Sequence, residues 1–177
     1  MTKKTDAYQT VPGHLYDVEA KFLQQLARGR RILEIGTHHG RSAVAMAATA
    51  KSVVTIDHYQ GDGMVGAPDK SLAEKHVRES GLGNIELVDS TWQGFLARDE
   101  VRLSGFDVIF YDGDHTQEAA FLAAIVDFSG RIAIHDYKPG EPAMSHVVES
   151  AEEYAAFTGR ELIRGAGSIV YFERESK

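Results

Sequence analysis

Histidine, aspartate or both occur at five places along the chain, each directly after a short apolar run. These places are Thr37-His38-His39, Asp57-His58, Asp89-Ser90, Asp112-Gly113-Asp114-His115 and His135-Asp136. Imidazole exchanges protons near neutral pH, whereas carboxylates accept hydrogen bonds from hydroxyl groups or bind hard divalent cations. Because five of the eight histidines fall at these places, the pattern predicts a binding or catalytic site assembled from separate segments.

The apolar runs before these residues are typical of buried strands. Strands are predicted over 31–35, 52–56, 85–88, 106–111 and 131–134, with a hairpin over 161–172. Helical spacing of apolar residues predicts helices over 14–28, 42–50, 69–80 and 118–128, and another after Pro142. This alternation indicates an α/β fold with a parallel sheet covered on both faces. The carboxyl ends of parallel strands meet at one edge, so the five polar groups should converge there.

The glycine-containing segment Glu34-Ile35-Gly36-Thr37-His38-His39-Gly40 lies between the first strand and the next helix. Gly36 permits a tight turn, and Gly40 allows the helix to pack close to the strand. Asp57 ends the next strand and could accept both hydroxyl protons of a ribose. His38 stands where a dinucleotide site has its second glycine, which argues against a pyrophosphate. The interpretation that the glycines serve turns alone stays open.

Two motifs resemble those of class I S-adenosylmethionine-dependent methyltransferases. The segment from Ile32 to Ser42 resembles their motif I, and the segment from Phe106 to His115 resembles their fourth-strand motif. The chain is most similar to the small branch of macrocin-type and cephalosporin-biosynthesis O-methyltransferases, over about residues 13–172. The resemblance implies a Rossmann-like three-layer αβα sandwich with a mostly parallel seven-stranded sheet, in the order 3-2-1-4-5-7-6 with the last strand antiparallel.

The resemblance also implies a function and a set of cofactor residues. S-adenosylmethionine would be the methyl donor, the acceptor would be a hydroxyl group on a sugar or phenolic compound, and the enzyme could be a homodimer. Glu34 and Gly36 would line the methionine moiety, and Asp57 would bind the ribose. His58, Asp89 and Ser90 would flank the adenine, and Asp112 would lie at the methyl-donor end. The remaining cofactor residues by this resemblance are Thr37, Gly40 and Ser42.

A divalent metal ion, Mg²⁺ or a transition metal, is a second implication of the resemblance. Related catechol-type and macrocin-type enzymes hold an ion with an aspartate after the fourth strand and an acidic or amide pair after the fifth. Asp112, His135 and Asp136 occupy those positions here. His135 replaces the usual carboxylate, so a metal-free site with His115 or His135 as the base is the alternative. The third interpretation is structural, with Asp114 capping a helix. The catalytic candidates are Asp112, His115 and His135.

Length, charge and composition narrow the classes of function. The 177 residues predict one domain over 1–177, with residues 1–12 expected to be flexible. A formal charge of −7 disfavours nucleic acid and anionic membranes as partners. The chain has no cysteine, no apolar run approaching about 18 residues and no signal-like apolar start. We therefore expect a cytoplasmic protein without thiol chemistry.

Two rival functions remain from the sequence alone. One is a nicotinamide-dependent oxidoreductase, against which stand the missing second glycine and the lack of a Tyr-x-x-x-Lys pair. The other is a non-catalytic, cofactor-binding protein that kept the fold. Smaller expectations concern the loop 58–68, which could cover the site with Tyr59 and Met64. His14 is expected at the surface and Trp92 in the core.

Overall fold

Seven strands form one sheet in the computed structural model, which describes residues 4–60 and 69–173. The strands are β1 (Arg31–Ile35), β2 (Ser52–Asp57), β3 (Ile85–Asp89), β4 (Val108–Tyr111), β5 (Arg131–Ile134), β6 (Glu161–Arg164) and β7 (Val170–Glu173). Their order is β3-β2-β1-β4-β5-β7-β6. The first five strands pair in parallel, and β7 is antiparallel to both β5 and β6. The predicted fold class and strand order are confirmed.

Within residues 4–60 and 69–173, six α-helices connect and cover the strands. They are α1 (Asp17–Ala27), α2 (Arg41–Ala47), α3 (Lys70–Ser80), α4 (Trp92–Leu96), α5 (Glu118–Ala124) and α6 (Ser145–Thr158). The short helix α4 is absent from the sequence prediction, and the Thr91 hydroxyl caps it by accepting from the Gly94 N–H. Residues 61–68 of the predicted loop, with Met64, lie outside the described residues. None of the helices that the structure describes combines the length and apolarity needed to span a membrane.

The central strands bury side chains on both faces of the sheet. All four residues of β4 are buried. Ile109 and Tyr111 belong to the core on one face, whereas Val108 and Phe110 belong to the core on the other. Alternate residues of a strand point to opposite faces. A continuous apolar strand therefore packs between two layers of helices, as the sequence predicts.

The N-terminal segment packs against the domain from Lys4 onward. A 3-10 helix spans Lys4–Thr10, and Tyr8 and Val11 are both buried. The guanidinium of Arg41 in α2 donates hydrogen bonds to the carbonyl groups of Tyr8, Val11 and Leu15, at 3.2, 2.6 and 2.9 Å. Residues 4–12 are thus anchored by an arginine that lies far along the chain and satisfies three carbonyl groups at once. The expected flexibility of residues 1–12 stays a prediction.

Candidate functional site

A cavity of about 420 Å³ opens at the carboxyl ends of the strands, beside β1 and β4. The strand order reverses between these two strands, which is where α/β sheets bind ligands. The wall contains all five predicted histidines and four predicted aspartates, namely His38, His39, His58, His115, His135, Asp57, Asp112, Asp114 and Asp136. It also contains His14, which was expected at the surface. The predicted convergence of these residues at one edge is thus present.

The turn after β1 requires glycine at two positions for different reasons. Gly36 has φ +99°, and a Cβ atom there would collide with the main-chain carbonyl of Asp112 after β4. Gly40 has φ +88°, but the nearest atom to a Cβ would be Cγ2 of Val77 at an ordinary 3.7 Å. The left-handed backbone therefore explains Gly40, and the close helix packing proposed from the sequence does not.

The carboxylate of Asp57 organises the loop that follows β1. Its Oδ2 accepts hydrogen bonds from the main-chain N–H groups of Thr37 at 3.0 Å and His38 at 2.8 Å. Its Oδ1 accepts from the N–H of Tyr59 at 2.7 Å. A carboxylate oxygen accepts up to two hydrogen bonds, so Oδ1 has capacity for a further donor from the cavity. His38 and Tyr59 both have left-handed φ angles, 48° and 53°, which aim their N–H groups at Asp57.

Glu34 is a buried acid beside this loop and does not contribute to the cavity wall. Its side chain is fully buried. Burial raises the pKa of Glu34 to about 8, and the negative charges of Asp112 and Asp57 add to that effect. The hydroxyls of Ser42 and Thr55 lie beside it and oppose the shift in part. Glu34 is therefore mostly protonated at neutral pH. Its predicted contact with the methionine moiety stays a prediction.

Residues after β2 and β3 form one side of the cavity. His58, Ser90 and Trp92 lie in its wall. The indole N–H of Trp92 donates to Oε1 of Gln117 at 3.1 Å, and its ring meets Phe121 edge-on with centroids 5.4 Å apart. Trp92, which the sequence predicts in the core, thus lies between the core and the cavity. It adds an aromatic surface next to His58 and Ser90.

Of three other residues predicted to contact the cofactor, two line the cavity and one lies outside its wall. Thr37 and Ser42 line the cavity, and Oγ1 of Thr37 lies 2.6 Å from Oγ1 of Thr55. Asp89, in contrast, is not among the residues of the wall and pairs with Nζ of Lys70 at 3.0 Å. The structure therefore brings together the predicted cofactor residues apart from Gly40, Asp89 and the buried Glu34, which do not line the cavity.

His135 lies among three carboxylates at the end of β5. Its Nδ1 is 3.0 Å from Oδ1 of Asp112 and 3.5 Å from Oδ2 of Asp136, and its Nε2 is 3.3 Å from Oε2 of Glu19. Burial by itself lowers the pKa of His135, but the surrounding carboxylates outweigh it and raise the pKa to about 12. Both ring nitrogens therefore carry protons at neutral pH. An imidazolium has no lone pair to give, so His135 suits neither a base nor a metal ligand.

Glu19, on α1, is a site residue that the sequence interpretation missed. It is fully buried and accepts hydrogen bonds from the N–H and hydroxyl of Ser168, at 2.8 and 2.9 Å, and from the N–H of Tyr16 at 2.9 Å. Burial raises its pKa, but the contact with His135 and these hydrogen bonds dominate and lower it to about 2. Its spacing could have indicated its burial, because Glu19 lies four residues from both Leu15 and Leu23, which are buried apolar residues.

His115 and Asp136 form a second pair in the cavity wall. Nε2 of His115 lies 3.2 Å from Oδ2 of Asp136, and Nδ1 lies 3.6 Å from Oε2 of the buried Glu118. Burial lowers the pKa of His115, but these two carboxyl groups raise it to about 9. Lys138 approaches Oδ1 of Asp136 at 2.6 Å. Despite its burial, Asp136 has a pKa held well below its ordinary value by its basic neighbours.

Three side chains at this end of the cavity lie close enough together to be considered as ligands of a divalent metal ion. Ligand atoms of Asp112, His115 and Asp136 lie within 4.8 Å of one another, so His115 replaces the predicted His135 in the group. Each member is already engaged, however: Asp112 by His135, and Asp136 by both His115 and Lys138. Binding of an ion would require His115 to lose its second proton, and would add two positive charges next to His135 and Lys138. The described residues do not fit such an ion.

A family of known proteins matches most of the region that builds this cavity. The model of a family described as a methyltransferase domain matches residues 33–137, which is more than half of the chain. The chain belongs to this methyltransferase family. The match confirms the resemblance found in the sequence and gives no support to a nicotinamide-dependent oxidoreductase. No curated protein matches the chain.

Solved structures share the fold of this methyltransferase. An O-methyltransferase from Bacillus cereus in complex with SAH is 18% identical with a TM-score of 0.73, over 98% of this chain and 92% of that one. TomG from Streptomyces achromogenes, an O-methyltransferase involved in tomaymycin synthesis and bound to SAM, is 18% identical with a TM-score of 0.69, over 98% and 88%. At these identities the likeness establishes the fold.

The shared fold does not separate classes of methyl acceptor. The tRNA (m1A58) methyltransferase TrmI from Aquifex aeolicus is also similar, at 14% identity and a TM-score of 0.71, over 99% of this chain and 77% of that one. The exclusion of nucleic acid therefore stays a prediction for this methyltransferase, as do its homodimer and its cytoplasmic location.

Proposed function

We propose that this methyltransferase transfers the methyl group of S-adenosylmethionine to a hydroxyl oxygen of a small molecule. The observation that carries the proposal is the Asp57 carboxylate, fixed by three main-chain N–H groups at the wall of a cavity beside the β1–β4 switch point. Cavities of about 300–1,000 Å³ hold organic ligands, and 420 Å³ falls in that range. The SAH- and SAM-bound O-methyltransferases of the same fold support this donor and an oxygen acceptor.

The cavity wall suggests how the donor binds. Oδ1 of Asp57, which already accepts from the N–H of Tyr59, accepts one further hydrogen bond from a ribose hydroxyl. Trp92 offers an aromatic surface for the adenine beside His58 and Ser90. Gly36 allows the backbone to approach the methionine moiety closely. When bound, S-adenosylmethionine supplies a methyl group on a sulfonium, which is a good leaving group. Alignment is then the main requirement that the protein must meet.

The acceptor side of the cavity lies towards β4 and β5. Its wall includes His14, Tyr16, His115, Lys138 and Met144. This mixture of apolar, aromatic and basic groups suits a small hydroxylated compound. The formal charge of −7 disfavours a nucleic acid. We propose His115, whose ring Asp136 holds, as the base that takes the hydroxyl proton. Only its neutral form can accept that proton, so methyl transfer should rise with pH towards the His115 pKa of about 9. We include no metal ion.

Titration calorimetry with S-adenosylhomocysteine and with NAD tests the donor. The expected result is binding of S-adenosylhomocysteine and no binding of NAD, whereas the opposite pattern overturns the proposal. Methyl transfer is then measured against a panel of hydroxylated sugars and phenols. His115→Gln should lower kcat with little change in the affinity for S-adenosylhomocysteine. Methylation of RNA alone would refute the small-molecule acceptor, and binding of the donor without any transfer would favour the non-catalytic alternative.

A further inference from the structure

Three carboxylates surround one imidazole between α1 and the ends of β4 and β5. Asp112 and Asp136 face Nδ1 of His135, and Glu19 faces Nε2 on the opposite side of the ring. A neutral imidazole has one N–H and one lone pair. With acceptor oxygens on both sides, any neutral form would direct its lone pair at a carboxylate. The geometry therefore selects the doubly protonated ring.

Glu19 holds this ring from a position outside the cavity wall. It is fully buried, and hydrogen bonds from Ser168 and Tyr16 fix its carboxylate between α1 and the turn before β7. Gly167 in that turn has φ +60°, and a Cβ atom there would collide with the Glu19 side chain. His135 itself is 4% exposed. Neither partner has room to turn away, so the imidazolium is fixed relative to Asp112.

Asp112 and Asp136, the aspartates nearest to His135 in the cavity wall, are contacted by basic side chains of the chain itself. His135 contacts both, and His115 and Lys138 contact Asp136. Their negative charge is thereby offset without an added ion.

We infer that His135, fixed by Glu19, is a built-in cation that takes the place of a divalent metal ion in holding Asp112 and Asp136 at the acceptor end of the cavity. Glu19 is a positioning residue, because it acts on the aspartates through His135. The inference rests on the proposed function in assigning this end of the cavity to the acceptor. The charge arrangement itself is measurable without any methyl transfer.

Metal binding by the full chain is the first test. The protein is titrated with MnCl₂ and with MgCl₂, followed by calorimetry and by the electron paramagnetic resonance of Mn²⁺. The expected result is no stoichiometric binding at concentrations below about 1 mM, and an affinity for S-adenosylhomocysteine that chelation leaves unchanged. Stoichiometric binding that Asp112→Asn abolishes would overturn the inference. Binding that survives both Asp112→Asn and Asp136→Asn would lie elsewhere and agree with it.

A double variant should convert the site into a metal site. In Glu19→Gln/His135→Glu, a carboxylate replaces the internal cation next to Asp136, and the opposing Glu19 charge is removed. We expect a gain in Mn²⁺ affinity of about 100-fold over the matched control Glu19→Gln/His135→Gln, since carboxylates are the preferred ligands of hard cations. Equal affinities in two folded variants, as judged by circular dichroism, would contradict the inference.

A spectroscopic measurement keeps the inference testable if the double variant does not fold. Nitrogen-15 spectra of histidine-labelled wild-type protein should show protons on both ring nitrogens of His135 at neutral pH, and a single neutral tautomer would overturn the inference. Glu19→Gln should lower kcat about tenfold while leaving the affinity for S-adenosylhomocysteine unchanged, and Glu19→Asp should recover part of the loss. Equal loss of both quantities would indicate a merely structural role. Failure to bind S-adenosylhomocysteine would instead count against the proposed function.

Discussion

Aspartates at the ends of parallel strands are stabilised in opposite ways on the two sides of the switch point. On the β2 side, Asp57 accepts hydrogen bonds from three main-chain N–H groups. On the β4–β5 side, Asp112 and Asp136 are held by basic side chains, among them the buried His135. Main-chain donors carry no net charge and do not titrate, whereas side-chain donors set the charge of their surroundings.

The difference separates two tasks within one cavity. A carboxylate held by the backbone keeps a free acceptor position, which suits the recognition of neutral hydroxyl groups. The negative charge of carboxylates that are paired with cations is largely cancelled in the space around them. The β4–β5 side of the cavity therefore favours neither a metal ion nor a strongly charged acceptor. Glu34 represents a third arrangement, because burial keeps its carboxyl group protonated instead of paired.

The largest effect is expected from the pH dependence that Glu34 confers on stability. Its pKa is about 8 in the folded chain, against an ordinary 4.5. Below about pH 4.5 both the folded and unfolded forms are protonated, and between there and pH 8 the unfolded form alone ionises. The free energy of unfolding should therefore fall with rising pH over this window, by an amount on the order of 5 kcal/mol.

Glu34→Gln isolates this contribution. Urea unfolding of both proteins from about pH 5 to pH 8.5 should show similar stabilities at the acid end and a more stable variant at the alkaline end. Other titrating groups affect both proteins alike, so the difference between the two curves is the relevant quantity. Parallel curves would mean that Glu34 is ionised in the folded protein and has found partners as the aspartates have.

Gly36→Ala should disturb the close contact between the turn after β1 and the end of β4. A Cβ atom would press on the carbonyl of Asp112, and the residue would have to keep a φ of +99°. Overpacking and left-handed strain together suggest a loss of about 3 kcal/mol in the free energy of unfolding. Gly40→Ala is the matched control, since its Cβ meets only ordinary contacts and should cost about 1 kcal/mol. Equal losses would show that strain alone matters at Gly36.

The sequence predicts the Asp57 side more completely than the other. The strands and the convergence of the histidines follow from apolar runs and from glycine spacing around Gly36, which are local signals, whereas the strand order is an implication of the family resemblance. The role of His135 depends on Glu19, which meets Ser168 across 149 positions of the chain, and no local pattern records such a contact. The sequence correctly predicts that His135 lies at the carboxyl-end edge of the sheet, but it does not predict the carboxylate partners of His135. It also assigns no role to Arg41 and does not predict α4.

Asp57→Asn should weaken the binding of S-adenosylhomocysteine without unfolding the chain. Asparagine keeps the shape but loses the charge and one acceptor oxygen, and hydrogen bonds to a charged group are each worth about 2 kcal/mol. We expect a loss of affinity of about 30-fold by calorimetry. Asp89→Asn is the control, because Asp89 pairs with Lys70 and does not contribute to the wall. A comparable loss in both variants would restore Asp89 to the cofactor site and weaken the special role of Asp57.

The smallest effect is expected at Lys138, the half-exposed cation of the β5 side. It contacts Asp136 at 2.6 Å, but water screens the pair, and His115 and His135 remain as partners when it is removed. Lys138→Ala should therefore cost about 0.5 kcal/mol in the free energy of unfolding. The cost should vanish in about 1 M NaCl, where charges are screened within about 3 Å. A larger, salt-resistant loss would mean that Lys138, rather than His135, supplies the cation that holds Asp136.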